Sequence, residues 1–231
     1  MHFRHAEASG FRAGGLRHMK KQIIPAILTK NINDYQNKIT LVEKLVKRVH
    51  IDIMDGKFVP NKTISLTTIR QVQTKLHKEA HLMVKMPWKY VNSAANARIN
   101  TFIFHIEACP TTEQVCQTLK LISQHKMQAS IAISPETPVD KILPYLSKLE
   151  HVLIMTVNPG FGGQNLIPSA LQKVQALKEY DPKLTIEVDG GINKETLALA
   201  VQAGANYFVM GSAIYAHKNI KETIKNYKIL L

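Results

Sequence analysis

Short apolar runs alternate with amphipathic segments along the chain from residue 22 onward. Eight of these runs are rich in Val, Ile, Leu, Met and Phe, and they lie at 23–28, 49–54, 80–84, 101–105, 128–133, 151–157, 185–189 and 207–210. Runs that are apolar at nearly every position are typical of strands in a parallel sheet that is covered on both faces. The pattern therefore predicts eight buried parallel strands.

Helical periodicity fills the segments between these runs. In the first segment, apolar residues recur at spacings of four, three and four: Tyr35, Ile39, Val42 and Val46. This spacing places them on one face of a helix. Thr111 followed by Gln114 is typical of a capping box, and Asn193 is typical of the N-cap of a later helix. The chain is therefore expected to alternate strands with helices.

Eight such β/α units in about 210 residues predict a single (β/α)8 TIM barrel. The alternative, a doubly wound open sheet, usually carries a glycine fingerprint after its first strand, but here Thr29, Lys30 and Asn31 follow it. We expect this barrel domain to cover residues 19–231. Residues 1–18 are rich in Arg and His and lack periodicity, so we expect a disordered leader, a tag or a mis-assigned start.

Composition and charge narrow the classes of function. The chain is 45% hydrophobic, but no apolar run reaches the roughly eighteen residues that a membrane-spanning helix needs. Two cysteines, Cys109 and Cys116, form neither a disulfide framework nor a CxxC motif, so we expect reduced thiols and a cytoplasmic location. The formal charge of +13 is spread in singles and pairs without an aromatic-rich motif. We therefore expect no nucleic-acid or membrane partner, and a basic field that attracts small phosphorylated substrates.

Polar residues at the carboxyl ends of the predicted strands are the first candidates for a site, because chemistry in a (β/α)8 barrel occurs at that end. Alternation along the second run sends His50 and Asp52 to the barrel interior, and His81 and Asp189 lie near the ends of the third and seventh runs. Two imidazoles and two carboxylates suit Fe²⁺, Zn²⁺, Mn²⁺ or Co²⁺ better than Mg²⁺. The alternative for each residue is a buried polar group satisfied by hydrogen bonds. The four together favour one divalent metal ion.

Small residues in three successive late loops are the second group of candidates. They follow the sixth, seventh and eighth runs: Gly160, Gly162 and Gly163, then Gly190 and Gly191, then Gly211 and Ser212. Such residues let backbone N–H groups approach an anion, and the loops after the last strands are the usual phosphate site of a barrel. Each loop taken alone is also compatible with an ordinary turn. Together they predict a phosphate site.

Several longer segments point to a known family. They are HIDIMDGKFVPN (50–61), HLMV (81–84), HIEA (105–108), PETP (135–138), MTVNPGFGGQ (155–164), VDGGI (188–192) and GS (211–212). In these segments and their order the chain resembles the ribulose-phosphate 3-epimerase family. The resemblance implies a ribulose-phosphate-binding (β/α)8 barrel and metal-dependent 3-epimerisation of D-ribulose 5-phosphate to D-xylulose 5-phosphate, a step of the pentose phosphate pathway. It also allows a homo-oligomer, because barrels of this family often assemble.

By position, the resemblance also implies roles for individual residues. Four would ligate the metal: His50, Asp52, His81 and Asp189. The two carboxylates among them would be the acid/base pair that moves a proton through a cis-enediolate. Three methionines would line the intermediate, with core filling as the alternative: Met54, Met83 and Met155. Substrate and its phosphate would contact His81, Gly160, Phe161, Gly162, Gly163, Gly190, Gly191, Ile192, Gly211 and Ser212.

Three departures from the family pattern concern the substrate. Ala26 stands where the family usually has a serine that contacts substrate, Asn31 lies near the position of a usual acid, and residues 63–66 replace a glycine-containing segment. They leave two alternatives open. One is 3-epimerisation of a related ketose phosphate such as D-allulose 6-phosphate, and the other is a phosphosugar-binding protein without turnover.

Overall fold

The structure is a computed structural model that describes residues 20–231, so the predicted leader at 1–18 lies outside the described residues. Eight parallel strands form a closed barrel in chain order, with β8 paired to β1. The strands are β1 Gln22–Ile27, β2 Arg48–Met54, β3 His77–Met83, β4 Thr101–His105, β5 Gln128–Ile133, β6 His151–Met155, β7 Ile186–Asp189 and β8 Tyr207–Met210. The predicted (β/α)8 barrel is confirmed.

Helices cover the outside of the barrel. The α-helices are α1 Ile32–Val42, α2 Leu66–Ile69, α3 Val91–Asn96, α4 Thr112–Gln124, α5 Ala170–Tyr180, α6 Lys194–Gln202, α7 Ser212–Tyr215 and α8 Ile220–Ile229. Short 3₁₀ helices lie at Pro87–Tyr90, Ile106–Ala108, Val139–Lys141 and Leu143–Lys148. The last two occupy most of the connection from β5 to β6. Within residues 20–231, no helix combines the length and apolar character needed to cross a membrane.

Local sequence signals explain where several helices begin. The Thr111 hydroxyl and the Gln114 side chain form the predicted capping box of α4, and Asn193 caps α6. Asn31, one of the departures from the family pattern, is the N-cap of α1 and accepts the backbone N–H of Asn33 at 2.7 Å. The predicted periodicity of the first helix extended to Val46, but α1 ends at Val42 in a turn.

The barrel interior is more polar on one side than on the other, although the less polar side also holds buried His105, Ser130 and His151. Residues from β4 to β6 and the start of the following loop form an apolar cluster: Ile103, Ala132, Leu153, Met155 and Val157. Inward positions of β2, β3 and β7 instead carry His, Asp and Glu side chains, nearly all of them buried. The outward faces of the strands pack against the helices in the main hydrophobic core. Because buried polar groups need partners, the polar side is the part of the barrel where a site is expected.

Candidate active site

Four of the predicted site residues converge at the carboxyl end of the polar side. Asp52 on β2 lies in register with His81 on β3, and Asp189 ends β7. One ligand atom from each of His50, Asp52, His81 and Asp189 can be chosen so that all four lie within 4.8 Å of one another. The closed barrel therefore brings together residues that are far apart in the sequence.

The His50 ring is oriented by two glutamates beneath it. Its Nδ1 atom lies 3.0 Å from Glu187 Oε1 and 3.3 Å from Glu79 Oε1. Because carboxylate oxygens accept, Nδ1 carries the hydrogen in these contacts. The other nitrogen, Nε2, is buried without a hydrogen-bond partner, 3.4 Å from Asp52 Oδ1 and 3.6 Å from Asp189 Oδ2. Nε2 is therefore the ring nitrogen that faces the space between the two aspartates.

His81 faces the same space from β3. Its Nδ1 atom lies 3.1 Å from Asp52 Oδ1 and 3.5 Å from Asp189 Oδ2. Its Nε2 atom points the other way and lies 2.9 Å from Nε2 of His105, the last residue of β4. His50 and His81 are both fully buried, whereas Asp189 keeps 15% of its side chain exposed.

The charges of this cluster are strongly coupled. Burial alone would lower the pKa of His50, but the carboxylates of Asp52, Glu187 and Glu79 raise it well above its usual value. Burial alone would raise the pKa of Asp52, but His50 and His81 hold it well below its usual range. The pKa of His81 is likewise raised by Asp189 and Asp52 against the effect of burial. The site therefore favours an ionised Asp52 with positive charge beside it.

These residues fit a divalent metal ion. Two imidazole nitrogens and two carboxylate oxygens are a donor set that Zn²⁺ and other first-row transition metals accept. The unpartnered Nε2 atom of buried His50 supports this interpretation, because an orphaned polar atom in a barrel interior is costly unless it binds something. The second ring nitrogen of each histidine is held by a neighbouring side chain, as is usual for metal-ligating histidines.

A cavity of about 700 Å³ opens above the two aspartates. Asp52 and Asp189 lie in its wall with the three predicted methionines, Met54, Met83 and Met155. The predicted phosphate residues line it as well: Gly160, Phe161, Gly162, Gly163, Gly190, Gly191, Ile192, Gly211 and Ser212. His81, which was also predicted to contact substrate, is fully buried and is not among the described residues that line the cavity.

The double glycine after β7 is required by its surroundings. Gly190 has φ +115°, and a Cβ added there would lie 2.3 Å from Val157 Cγ2. Gly191 has φ +65°, and a Cβ there would lie 2.3 Å from the backbone nitrogen of Leu166. Side chains larger than hydrogen would therefore clash, so this loop can bring its backbone against a ligand only as glycine.

Three further residues lie in or near the cavity, and two of them belong to the departures from the family pattern. Lys38 on α1, which no sequence motif singled out, lines the cavity with its ammonium group 2.8 Å from Asp34 Oδ2. Ala26, at the position of the usual serine, also lines the cavity. Thr63, in the segment that departs from the family, donates to the Asp52 carbonyl oxygen at 2.7 Å and accepts from the Met54 backbone N–H at 2.9 Å. That segment therefore braces the second strand.

A family model described as the ribulose-phosphate 3 epimerase family matches residues 22–215. The chain belongs to this family. It is 41% identical over 211 residues to the ribulose-phosphate 3-epimerase of Bacillus subtilis (strain 168), a match that covers 88% of this chain and 96% of the relative. It is 38% identical over 212 residues to the cytoplasmic isoform of ribulose-phosphate 3-epimerase from Oryza sativa subsp. japonica, covering 88% and 91%. The predicted family and the predicted epimerase class are confirmed.

More distant solved structures share the fold. A crystal structure of KGPDC from Streptococcus mutans superposes with a TM-score of 0.70 at 15% identity, covering 92% of this chain and 97% of that one. A 3-hexulose-6-phosphate synthase structure superposes with a TM-score of 0.69 at 15% identity, covering 90% and 99%. At these identities the likeness concerns the barrel.

Proposed function

We propose that the chain catalyses metal-dependent 3-epimerisation of D-ribulose 5-phosphate to D-xylulose 5-phosphate. One observation carries the proposal: Asp52 and Asp189 meet His50 and His81 and line the same cavity as three glycine-containing loops. Proton-transfer groups and a phosphate cradle in one cavity match a small phosphorylated sugar. Membership of the family supports the same reaction.

The two aspartates supply the proton chemistry. Inverting a carbon next to a carbonyl requires removal of a proton from one face and delivery of a proton to the other. Asp52 projects from β2 and Asp189 from β7, so they approach the cavity from different strands. The neighbouring imidazoles keep the pKa of Asp52 low, so it is ionised, and as the base of the pair it would take the C3 proton. Asp189, which would carry a proton at the start of the reaction, would then donate it to the opposite face of the cis-enediolate, so the two aspartates exchange protonation states.

A divalent ion would be held by His50 Nε2, His81 Nδ1 and one oxygen from each aspartate. When bound, it would polarise the substrate carbonyl and stabilise negative charge on the neighbouring oxygens. The mixed nitrogen and oxygen donors favour Fe²⁺, Zn²⁺, Mn²⁺ or Co²⁺. The three methionines add polarizable, uncharged surface that excludes water without competing as charged ligands.

The glycine loops would hold the phosphate. Backbone N–H groups near Gly163, Gly191 and Gly211, with the Ser212 hydroxyl, can approach the anion, and Lys38 adds a positive charge to the same cavity. The formal charge of +13 favours the approach of such a substrate. We further propose a cytoplasmic enzyme without nucleic-acid or membrane partners. The free cysteines Cys109 and Cys116 and the resemblance to a cytoplasmic isoform support this location.

Hydrogen exchange at C3 tests the reaction. The metal-loaded protein is incubated with D-ribulose 5-phosphate in D₂O, and deuterium at C3 is followed together with formation of xylulose 5-phosphate. Exchange and epimerisation together are expected. Asp189→Asn is expected to lower kcat by roughly 10²–10⁴-fold, the usual contribution of a positioned acid or base. Asp140→Asn, an exposed aspartate in the β5–β6 connection, is the matched control and should keep wild-type activity. Full activity of Asp189→Asn would refute the two-carboxylate mechanism.

A second candidate substrate is a longer ketose phosphate such as D-allulose 6-phosphate. The observation that favours it is Ala26, which places a methyl group in the cavity wall where a serine hydroxyl is usual. The ratio of kcat/KM on the two sugars decides between them, because one added hydroxymethyl group must be accepted or rejected by cavity contacts. Ala26→Ser is expected to shift this ratio toward the pentulose phosphate.

A further inference from the structure

A chain of hydrogen bonds leads away from His81 through two residues that the proposed mechanism does not use. His105 is fully buried, and its ring lies nearly parallel to that of His81, with 24° between the planes. The two Nε2 atoms are 2.9 Å apart. On its other side, His105 Nδ1 lies 3.1 Å from Glu107 Oε2.

Glu107 is fixed by the segment that follows β5. Its Oε1 atom accepts the backbone N–H of Ser134 at 2.8 Å and the hydroxyl of Thr137. Burial alone would raise the pKa of Glu107, but the hydrogen bonds from His105, Thr137 and Ser134 lower it to about 2. The Lys173 ammonium donates to the Ser134 carbonyl at 2.9 Å and so braces the same segment. These contacts link the HIEA and PETP segments, for which the sequence offered no role.

The hydrogens along this chain can be placed by elimination. The Glu107 carboxylate only accepts, so the hydrogen between it and His105 belongs to His105 Nδ1. A neutral His105 then has a lone pair on Nε2, and the hydrogen between the two rings belongs to His81 Nε2. A neutral His81 is left with a lone pair on Nδ1. That atom is the one that faces Asp52 and Asp189.

We infer that Glu107 and His105 are positioning residues that hold His81 in the tautomer able to bind a metal through Nδ1. The inference rests on the proposed metal site. It differs from the arrangement at His50, where glutamates contact the ring directly and leave Nε2 for the metal. The two histidines thus use opposite ring nitrogens, and each is oriented from the side away from the site.

Glu107→Gln would reverse the direction of donation in the hydrogen bonds that link residue 107, His105 and His81. The glutamine oxygen must stay at the Oε1 position, because the Ser134 N–H and the Thr137 hydroxyl both point there. The amide NH₂ then faces His105 Nδ1, which has to accept. His105 consequently donates from Nε2, and the hydrogen of His81 moves to Nδ1, where it blocks the lone pair. A metal ion could then bind His81 Nδ1 only after this hydrogen had been displaced.

Metal affinity is the first test. The Kd for Zn²⁺ alone is measured by chelator competition for wild type, Glu107→Gln and Glu136→Gln. Glu107→Gln is expected to bind Zn²⁺ roughly 10–100-fold more weakly, the usual effect of losing an outer-sphere partner. Glu136 is exposed and lies next to Thr137. Glu136→Gln therefore makes the same charge change without altering the hydrogen bonds from Glu107 to His81, and it should bind Zn²⁺ like wild type. Equal affinities for all three proteins would overturn the inference.

Histidine tautomers provide the second test, and they are measured in wild type as well. Long-range ¹H–¹⁵N spectra of the Zn²⁺-loaded protein are expected to show hydrogen on Nε2 of His81 and on Nδ1 of His105. Hydrogen on Nε2 of His105 would overturn the inference even if the Glu107→Gln variant does not fold. Wild type that binds no Zn²⁺ would overturn the metal-dependent function too. Zinc binding by wild type with unchanged affinity in Glu107→Gln would overturn only the positioning role.

Discussion

Replacing Gly190 with alanine tests the construction of the loop after β7. The backbone there has φ +115°, outside the region that L-residues adopt readily, and such strain costs about 1–3 kcal/mol. The new methyl carbon would also lie 2.3, 2.8 and 2.9 Å from three side-chain carbons of Val157, which is itself buried. Overpacking of this kind costs about 1–3 kcal/mol. The expected loss of unfolding free energy is therefore about 2–6 kcal/mol.

A double-mutant cycle separates these two contributions. Val157→Ala removes the two nearest carbons and leaves only Cβ at 2.9 Å, so the packing part of the cost should shrink in the double variant while the backbone strain stays. The double variant is thus expected to be less destabilised than the sum of the single variants, by at most about 1–3 kcal/mol. Urea denaturation followed by circular dichroism gives the free energies. For a chain of this size, Gly190→Ala alone should lower Tm by roughly 5–20 °C.

Gly162→Ala is the matched control. Gly162 also lines the cavity, but a Cβ there would meet nothing within 4 Å. Its effect on unfolding free energy is expected to stay within about 0.5 kcal/mol. A Gly190→Ala variant as stable as this control would refute the argument from φ and contact distance. If the free-energy effects of Gly190→Ala and Val157→Ala simply add in the double variant, Val157 is not the source of the packing cost.

Three further measurements follow from the site and its surroundings. Lys38→Met should raise KM for the phosphorylated substrate roughly three- to tenfold with little change in kcat, and the effect should shrink at high salt. Removing metal with a chelator should abolish epimerisation and lower Tm, and Zn²⁺ or Mn²⁺ should restore both. Burial, followed by the charges of Arg48 and His151, lowers the pKa of His77 from 6.5 to about 4. Between pH 6.5 and about 4, His77 is therefore protonated in the unfolded chain but neutral in the folded chain. The free energy of unfolding should consequently fall as the pH falls through this range. Because His77 is partly exposed, we expect wild type to lose about 1–2 kcal/mol more than His77→Gln over this range.

The strands were predictable because their outward faces are buried under helices and therefore apolar. The third strand shows that the apolar pattern does not mark the whole strand. Its apolar run begins at Ala80, but β3 begins earlier, at His77. Lys78 and Glu79 are buried there because Lys78 donates to the Ala97 carbonyl at 2.5 Å and Glu79 pairs with Arg48 at 2.9 Å. A hydrophobic pattern does not identify strand residues that are polar and become buried because groups from other elements pair with them.

The candidate metal ligands were predictable for a related reason. Period-two alternation places His50 and Asp52 on one face, and the strand ends mark His81 and Asp189. The layer beneath them was not predicted, although Glu79 and Glu187 lie two residues before His81 and Asp189 and therefore point inward too. Their partners lie far away in the chain: Glu187 contacts His50, which is 137 residues earlier. Such contacts can be identified only from the closed barrel, because the sequence does not show which distant residues meet.

The polar half of the barrel interior explains why the ligands are held so firmly. Beneath the cavity, Glu187 lies between His50 and His151, with Oε1 3.0 Å from one ring and Oε2 2.8 Å from the other. Arg48 adds a positive charge through Glu79. Breaking a buried charge pair by removing one partner costs about 3–5 kcal/mol, so this layer resists any change in the orientation of His50. The apolar cluster of Ile103, Ala132, Leu153, Met155 and Val157 has no charged group that could orient an imidazole in this way. The same division that keeps the interior packed therefore decides on which side of the barrel a metal ion and its proton-transfer groups can be placed.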